Sequence, residues 1–404
     1  MSILQQLRPV RQLRRHAATL AFLVCSGSAA LAAPARVSDI GPEPQLAGTL
    51  AAISQGDFTK ALQQVDALIA AFPNFRLAYL IRGDLLLAQT KPLTSFGEGG
   101  KNELAKVADL HDEAVARLRA LQEKPQGTAL QRYLLQMEKE QKFAIVIDTR
   151  KSRLYLYKND AGTPRFVADY YVTQGKLGAA KTAEGDKRTP IGVYHVTSSL
   201  SRKTLGDFYG SGAYPINYPN EWDRRMGRKD HGIWLHGTPS NTYSRPPKAS
   251  DGCVVLANLD LDAIAGDLQI GLTPVIISDS IEWLSHDDWQ AERSALLAMI
   301  DSWREDWESR DIGKYASHYS GQFLADGINT QQWIEQKRKV NASKNWIKVD
   351  VRNISMFRNP GKEEYVVVTF EQDYKSNNLS NATKKRQYWA KEDGHWKIIY
   401  EGTL

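Results

Sequence analysis

The spacing of apolar residues changes along the chain, and it predicts a helical part followed by two β-rich parts. Residues 49–71 carry apolar side chains at helical spacing, and a second helix is predicted from Ala78 to Leu87. Two more helices are predicted to follow, up to Lys142. The pattern therefore predicts a helical domain over residues 33–142.

One hairpin within this helical part has a distinctive sequence. Residues 56–74 resemble a single tetratricopeptide-type helical hairpin, because they contain Gly-Asp-Phe, Ala-Leu and Pro-Asn in this order. Repeats of this kind need neighbouring copies to bury their apolar faces. The sequence contains no convincing second copy, so a solenoid is not expected.

The pattern becomes one of short strands and turns after residue 143. A hairpin is predicted from residues 143–148 and 153–157. Further strands are predicted at 166–173, 192–196, 233–236, 253–256 and 274–277, with one short helix at 259–265. We therefore expect a mainly-β domain over residues 143–278.

Residues 285–404 form a third unit, which opens with a helix-and-turn pattern rich in aromatic residues. Strands are predicted near 346–354, 364–374, 385–391 and 396–400. This order resembles a nuclear transport factor 2-like (NTF2-like, SnoaL-like) α+β cone. The cone shows no convincing acid–base pair, so a binding or interaction role is expected for it. About 370 residues remain after export, which is too many for one core, and a multidomain protein is expected.

The first 32 residues have the composition of a cleavable export signal. Four arginines precede a short apolar core, and Ala30-Leu31-Ala32 is a typical cleavage site. The apolar core is far shorter than the roughly 20 residues that a membrane span needs. We therefore expect an exported protein of the periplasm or cell envelope that keeps no membrane anchor after cleavage.

The charge distribution argues against nucleic acid as a partner. The formal net charge of +6 includes the four leader arginines, so the exported chain is only about +2. Residues 143–277 carry +4, whereas residues 33–142 are neutral and residues 278–404 carry −2. A basic middle domain suits a substrate with carboxylates. The scattered His residues lack metal-ligand spacing and no Gly-rich phosphate loop occurs, so no metal or cofactor is expected.

Cys253 is the only cysteine outside the leader, and it lies in Ser250-Asp251-Gly252-Cys253, 17 residues after His236. An unpaired thiol is either buried filler or a nucleophile, and a nucleophile needs an imidazole to accept its proton. His236 ends an apolar strand, and Gly237 lets backbone approach it closely. Gly252 permits a tight turn that leaves backbone amides for an oxyanion. The neighbours of Cys253 favour the nucleophile.

These residues resemble the catalytic motif of the L,D-transpeptidase (YkuD) family, His-Gly followed by Ser-x-Gly-Cys and Asn. The segment 185–192 also resembles the family's Gly-x-x-x-Thr-Pro-x-Gly motif. The resemblance implies that Cys253 attacks a carbonyl of a peptidoglycan stem peptide, with His236 as general base held by a backbone carbonyl. Amides near Gly252 and Cys253 would form the oxyanion hole.

The resemblance also suggests residues that organise or bind the substrate. Ser250 and Asn258 would organise the loop around the nucleophile. The family motif has His where this chain has Asp251, and Asp251 is expected to point outward or to orient the loop. The basic and aromatic segment 200–230 is predicted to cover the cleft, with Arg224 and Arg225 binding substrate carboxylates.

Two functions are compatible with the sequence. The first is a peptidoglycan-modifying cysteine enzyme, acting as an L,D-transpeptidase, an L,D-carboxypeptidase or both, since the two reactions differ only in the acceptor. The three-domain order is similar to periplasmic L,D-carboxypeptidases that determine cell shape. The alternative is a non-catalytic scaffold that binds peptidoglycan. A protein partner or self-association through the helical or the NTF2-like domain is left open.

Overall fold

The computed structural model describes residues 41–91, 97, 104–123, 129–325 and 327–404. The predicted export signal lies outside these residues. The helices within them are α1 (Pro42–Ser54), α2 (Phe58–Ala71), α3 (Arg76–Ala88), α4 (Leu104–Gln122), α5 (Glu221–Arg225), α6 (Asn258–Ala265), α7 (His286–Glu308), α8 (Ile312–Ser317) and α9 (Thr330–Ala342).

The strands alternate with these helices from residue 130 onward. They are β1 (Leu130–Gln131), β2 (Leu134–Gln136), β3 (Phe143–Asp148), β4 (Arg153–Asp160), β5 (Thr163–Gly175), β6 (Gly192–His195), β7 (Leu200–Ser201), β8 (Gly212–Pro215), β9 (Trp234–His236), β10 (Lys248–Ser250), β11 (Val254–Leu256), β12 (Pro274–Ser278), β13 (Trp283–Leu284), β14 (Leu324–Ala325), β15 (Ile328–Asn329), β16 (Ile347–Arg358), β17 (Tyr365–Ser376), β18 (Ser380–Glu392) and β19 (His395–Thr403).

The N-terminal helices α1 to α4 pack around one apolar core, and their apolar stripes supply its side chains. Asp57 caps α2 by accepting a hydrogen bond from the amide of Lys60. The prediction of helices up to Lys142 is wrong, because α4 ends at Gln122 and β1 and β2 follow. The sequence of β1 and β2 is too short to show a strand period by itself.

The central domain is built on one sheet, whose strands run in the order β6-β12-β3-β4-β5-β11-β9-β8-β7, with β10 paired to β5. The predicted strands of residues 143–277 are all confirmed within a few residues, as is the short helix α6. The short strands β7, β8 and β10 were not predicted. They lie beside β9 and β5 and extend the sheet around the candidate nucleophile.

Strands β3 and β4 are buried on both faces, which explains their unbroken apolar sequence. On one face, Ile145 and Leu154 belong to the core of the central domain. On the other face, Val146 and Tyr155 pack in a second core together with residues of the C-terminal sheet. The central and C-terminal domains therefore share an apolar interface.

The C-terminal domain is a sheet in the order β19-β18-β17-β16-β2, packed against α7, α8 and α9. The four predicted strands are confirmed as β16 to β19, and α9 is a helix that the sequence analysis did not predict. Strand β2, assigned from the sequence to the helical domain, pairs with β16 instead. Within the described residues, no helix is both long and apolar enough to span a membrane.

Candidate active site

Cys253 lies in a tight turn between β10 and β11, and Ser250 closes this turn. The Ser250 hydroxyl donates to the Cys253 carbonyl (2.6 Å) and accepts a hydrogen bond from the Gly252 amide (3.1 Å). Gly252 has φ of +132°, and a Cβ at this position would lie 2.9 Å from the carbonyl oxygen of Arg188. Only glycine fits this backbone.

Thr189, from the Gly-x-x-x-Thr-Pro-x-Gly segment 185–192 (the Thr-Pro motif), stabilises the same turn from the other side. Its buried hydroxyl donates to the carbonyl of Gly252 (2.9 Å) and accepts a hydrogen bond from the amide of Gly175 (2.9 Å). This structural role of Thr189 was not predicted from the sequence, where Thr189 only contributes to the family resemblance. Its position links the Thr-Pro motif physically to the nucleophile turn.

His236 is the last residue of β9, which runs parallel to β11 with His236 opposite Val255. Its side chain is buried, and Nδ1 lies 2.7 Å from the carbonyl oxygen of Gly237. A carbonyl only accepts hydrogen bonds, so Nδ1 carries the proton and Nε2 keeps its lone pair. The imidazole is therefore held in the tautomer that a general base needs.

Two aromatic side chains cover the imidazole. The ring of Tyr209 lies 5.2 Å from it and that of Phe208 lies 5.9 Å away, centroid to centroid. Burial lowers the pKa of His236 to about 4, against the weaker opposing effect of the Gly237 carbonyl. The imidazole is consequently neutral at pH 7 and ready to accept a proton.

The Cys253 thiol is protonated in the resting site. Burial raises the pKa of Cys253 to about 11, whereas a backbone hydrogen bond from Trp234 and the positive charges of Arg245 and Lys181 lower it. The thiol lies 3.4 Å from the carbonyl oxygen of Gly232, to which it donates. The thiol and the imidazole are therefore both neutral at pH 7.

Lys181 fixes the loop that carries Gly232. Its buried ammonium lies 2.9 Å from Asp186 and 2.6 Å from Asp230. The first contact holds the start of the 185–192 motif, and the second holds the turn two residues before Gly232. Lys181 thus connects both sides of the cleft and was not identified from the sequence.

The glycine amides expected near the oxyanion are already engaged. The amide of Gly252 donates to Ser250, and that of Gly237 donates to the carbonyls of Tyr209 (3.1 Å) and Gly212 (3.3 Å). The expectation that the Gly252 amide contributes to an oxyanion hole is corrected by this bond. Among the described residues the Cys253 amide has no backbone or side-chain acceptor, so it is the amide still available.

Asn258, at the start of α6, organises the segment around His236 rather than the nucleophile turn. Its Oδ1 accepts hydrogen bonds from the amides of Ser211 (2.9 Å) and Thr238 (3.2 Å), and its Nδ2 donates to the Thr238 carbonyl (2.9 Å). A Cβ at Gly237 would lie 2.1 Å from Asn258 Oδ1, which explains the glycine after the histidine.

Asp251 and the two predicted substrate-binding arginines point away from the thiol. Asp251 is exposed and lies 3.3 Å from Lys176. Arg225 donates to the carbonyls of Ile399 and Gln322 in the C-terminal domain. Arg224 lines a cavity of about 430 Å³ between the central and C-terminal domains. The expectation that Arg224 and Arg225 reach the substrate beside Cys253 is therefore corrected.

The described part of the chain has no cluster of side chains that suits a metal ion. No three side chains of His, Cys, Asp or Glu come close enough there to hold an ion. The groups near the thiol are instead an imidazole, backbone amides and two cationic side chains, which suit nucleophilic acyl transfer.

Comparison with protein families identifies two of the three parts. Residues 142–277 match the L,D-transpeptidase catalytic domain (YkuD), and residues 295–402 match the Cds6 C-terminal NTF2-like domain. The central part of the chain is therefore similar to the L,D-transpeptidase catalytic domain, and the C-terminal part is similar to an NTF2-like domain. These matches confirm the expected resemblance and the expected multidomain fold class.

Two solved structures have a similar fold over about two thirds of this chain. Bd1075 of Bdellovibrio bacteriovorus is 28% identical, with 68% of this chain and 98% of that chain covered at a TM-score of 0.62. The helical cell shape determining protein Pgp2 of Campylobacter jejuni is 22% identical, with 71% and 99% covered at a TM-score of 0.56. The likeness to Pgp2 concerns the fold alone. No curated protein sequence matches this chain.

Proposed function

We propose that this protein is a peptidoglycan-modifying cysteine enzyme that acts on stem peptides through a thioester on Cys253. The observation that carries the proposal is a partly exposed thiol in the turn before β11 together with a neutral imidazole at the end of β9, the parallel strand that pairs with β11. A non-catalytic scaffold would have no need for a histidine whose tautomer is fixed in this way.

In the first step, the Cys253 sulfur attacks the carbonyl carbon of an L-centre residue while His236 Nε2 takes the thiol proton. The carbonyl oxygen becomes an oxyanion, for which the Cys253 amide is the available donor. Collapse of this intermediate breaks the peptide bond. The imidazolium returns its proton to the leaving amine, which departs as a D-amino acid, and a thioester stays on Cys253.

In the second step, an amine or a water molecule attacks the thioester carbonyl while His236 again accepts a proton. The carbon–sulfur bond then breaks, and the imidazolium returns this proton to the Cys253 thiolate. An amine of a second stem gives a cross-link, and water gives a tripeptide. We propose that hydrolysis competes strongly with cross-linking. The acceptor depends on whether an amine is positioned better than water, since orientation contributes several of the roughly 7–11 kcal/mol available from proximity.

The cellular setting is part of the same proposal. The export signal predicted from residues 1–32 would deliver the protein to the envelope, where its substrate is. The fold that it shares with Pgp2, which is described as a cell shape determining protein, makes cell shape the phenotype to examine in a deletion strain.

Purified protein and disaccharide-tetrapeptide, separated by liquid chromatography and weighed, test the proposal. We expect tripeptide, cross-linked dimer or both from the wild type, and neither from Cys253→Ala or His236→Ala. Circular dichroism controls for the fold of both variants. A folded wild type that forms no product would contradict the enzyme proposal and favour the scaffold. Dimer without tripeptide at every acceptor concentration would contradict competing hydrolysis.

A further inference from the structure

The segment between β9 and β10 is held by the N-terminal helices. Tyr243 inserts its ring between Phe72 and Phe75, at centroid distances of 5.4 and 5.2 Å. Ser244 donates a hydrogen bond of 2.6 Å to Glu113 of α4. The next residue is Arg245, so these contacts with the helical domain fix the position of its backbone.

The backbone of Arg245 is also fixed by the central sheet. Its carbonyl accepts hydrogen bonds from the hydroxyls of Tyr171 (2.9 Å) and Thr173 (3.0 Å). Its guanidinium carbon lies 4.8 Å above the ring of Phe208, and this same ring contacts the imidazole of His236. Arg245 is therefore a positioned cation at the wall of the catalytic cleft.

The guanidinium of Arg245 is half-buried, yet within the described residues it forms no ion pair and no side-chain hydrogen bond, and Asp251 acts on it only as a more distant charge. The more deeply buried arginines nearby are paired, Arg117 with Glu43 and Glu113 and Arg153 with Asp169. Removing a guanidinium from water without giving it acceptors is unfavourable, and the stack on Phe208 offsets only part of this. An anionic ligand would satisfy the free donors.

We infer that Arg245, stacked on Phe208 beside His236 and held in place by the helical domain, binds a carboxylate of the stem peptide. This inference rests on the proposed function. A guanidinium presents parallel N–H donors that match both oxygens of a carboxylate. Beside the scissile bond, a tetrapeptide donor offers two such groups, the C-terminal carboxylate of the leaving residue and the side-chain carboxylate of the third residue, and these two are the candidates.

Three donors separate these carboxylates: the free tetrapeptide, its C-terminal amide, and the peptide amidated on the third side chain. We expect Arg245→Gln to lower kcat/KM by about 10- to 100-fold for donors that keep the bound carboxylate, the usual range for a charged hydrogen bond. For the donor that lacks it, the change should stay within about threefold. Arg245→Lys should fall between Gln and the wild type.

Arg165→Ala is the matched control, because it removes one positive charge from an exposed side chain of the same domain. It should leave all three kcat/KM values unchanged. Equal losses on all three donors in Arg245→Gln would refute binding of either carboxylate beside the scissile bond while leaving the enzymatic function standing. A wild type that shows no preference among the donors would refute it without any variant. A wild type that turns over none of them would refute the proposed function, and the inference with it.

Discussion

Replacing Thr189 by valine should damage the active site without touching the thiol or the imidazole. Valine has nearly the shape of threonine but lacks the hydroxyl that joins Gly175 to Gly252. Both backbone partners are buried, so water cannot replace the lost bonds without opening the turn. The change therefore tests only the two hydrogen bonds by which the Thr189 hydroxyl braces the nucleophile turn.

The cost follows from the two partners left unpaired. A buried donor or acceptor without a partner costs about 1–3 kcal/mol, and the added methyl group returns at most about 1 kcal/mol. We expect a net loss of about 2–4 kcal/mol in the local stability of the turn. Because the Cys253 backbone would move with Gly252, kcat should fall about 10- to 100-fold, the effect of a misplacement of about 1 Å.

Hydrogen–deuterium exchange at the Gly175 amide and kcat for tripeptide or dimer formation measure the two effects. Thr189→Ser is the matched control, because it keeps the hydroxyl and loses one methyl group, at about 1 kcal/mol. It should retain kcat within about threefold and keep Gly175 protected. Wild-type exchange and kcat in Thr189→Val, or an equal loss in Thr189→Ser, would refute the role of the brace.

Three further changes test other parts of the site. The pKa of about 4 for His236 predicts that kcat/KM stays constant as the pH falls from 7 to 5.5 and declines only near pH 4. The pKa of about 11 for Cys253 predicts that the rate of iodoacetamide labelling rises about tenfold per pH unit between pH 7 and 10. A break near pH 6.5 in either profile would contradict these values. Lys181→Met should destabilise the protein by about 3 kcal/mol in urea because it leaves two acidic side chains unpaired, and an equal loss in the exposed Lys176→Met would contradict this. Tyr243→Phe should be neutral in a thermal melt because the buried hydroxyl has no hydrogen-bond partner among the residues that the structure describes. Tyr243→Ala should cost about 3–5 kcal/mol, and equal stabilities of the two variants would contradict the packing of the helical domain on this ring.

The sequence was most informative where a property depends on neighbouring residues. Continuous apolar runs predicted strands such as β3 and β12. Both strands are buried along almost their whole length, and such a strand needs apolar side chains whichever element packs against it. The order of His236, Ser250, Gly252 and Cys253 predicted one site, and the structure places them on adjacent strands and in one turn.

It was least informative where a side chain meets a distant part of the chain. Arg224 and Arg225 lie in a basic, aromatic segment, but they face the C-terminal domain, which local sequence does not show. The reverse holds for Arg245, whose position depends on helices more than 100 residues earlier. Its only local signal is the Pro-Pro pair that follows, which stiffens the backbone.

The oxyanion donors illustrate a different limit. Gly237 was expected to allow close backbone approach and Gly252 to permit a tight turn. A Cβ at Gly237 would lie 3.0 Å from the Ser211 amide nitrogen, and one at Gly252 would lie 2.9 Å from the Arg188 carbonyl oxygen. Which amide stays free depends on hydrogen bonds that close the turn, and these exist only once Ser250 and Tyr209 are in place. A motif therefore gives the backbone shape but not the remaining donors.

The most direct test of the central claim is the mass of the intact protein during turnover. The wild type, mixed with tetrapeptide donor and quenched in acid within milliseconds to seconds, should gain the mass of one acyl group, and peptide mapping should place this group on Cys253. Cys253→Ala should gain nothing under the same conditions. Product formation in Cys253→Ala, or an acyl group on any other residue of the wild type, would contradict the thioester mechanism.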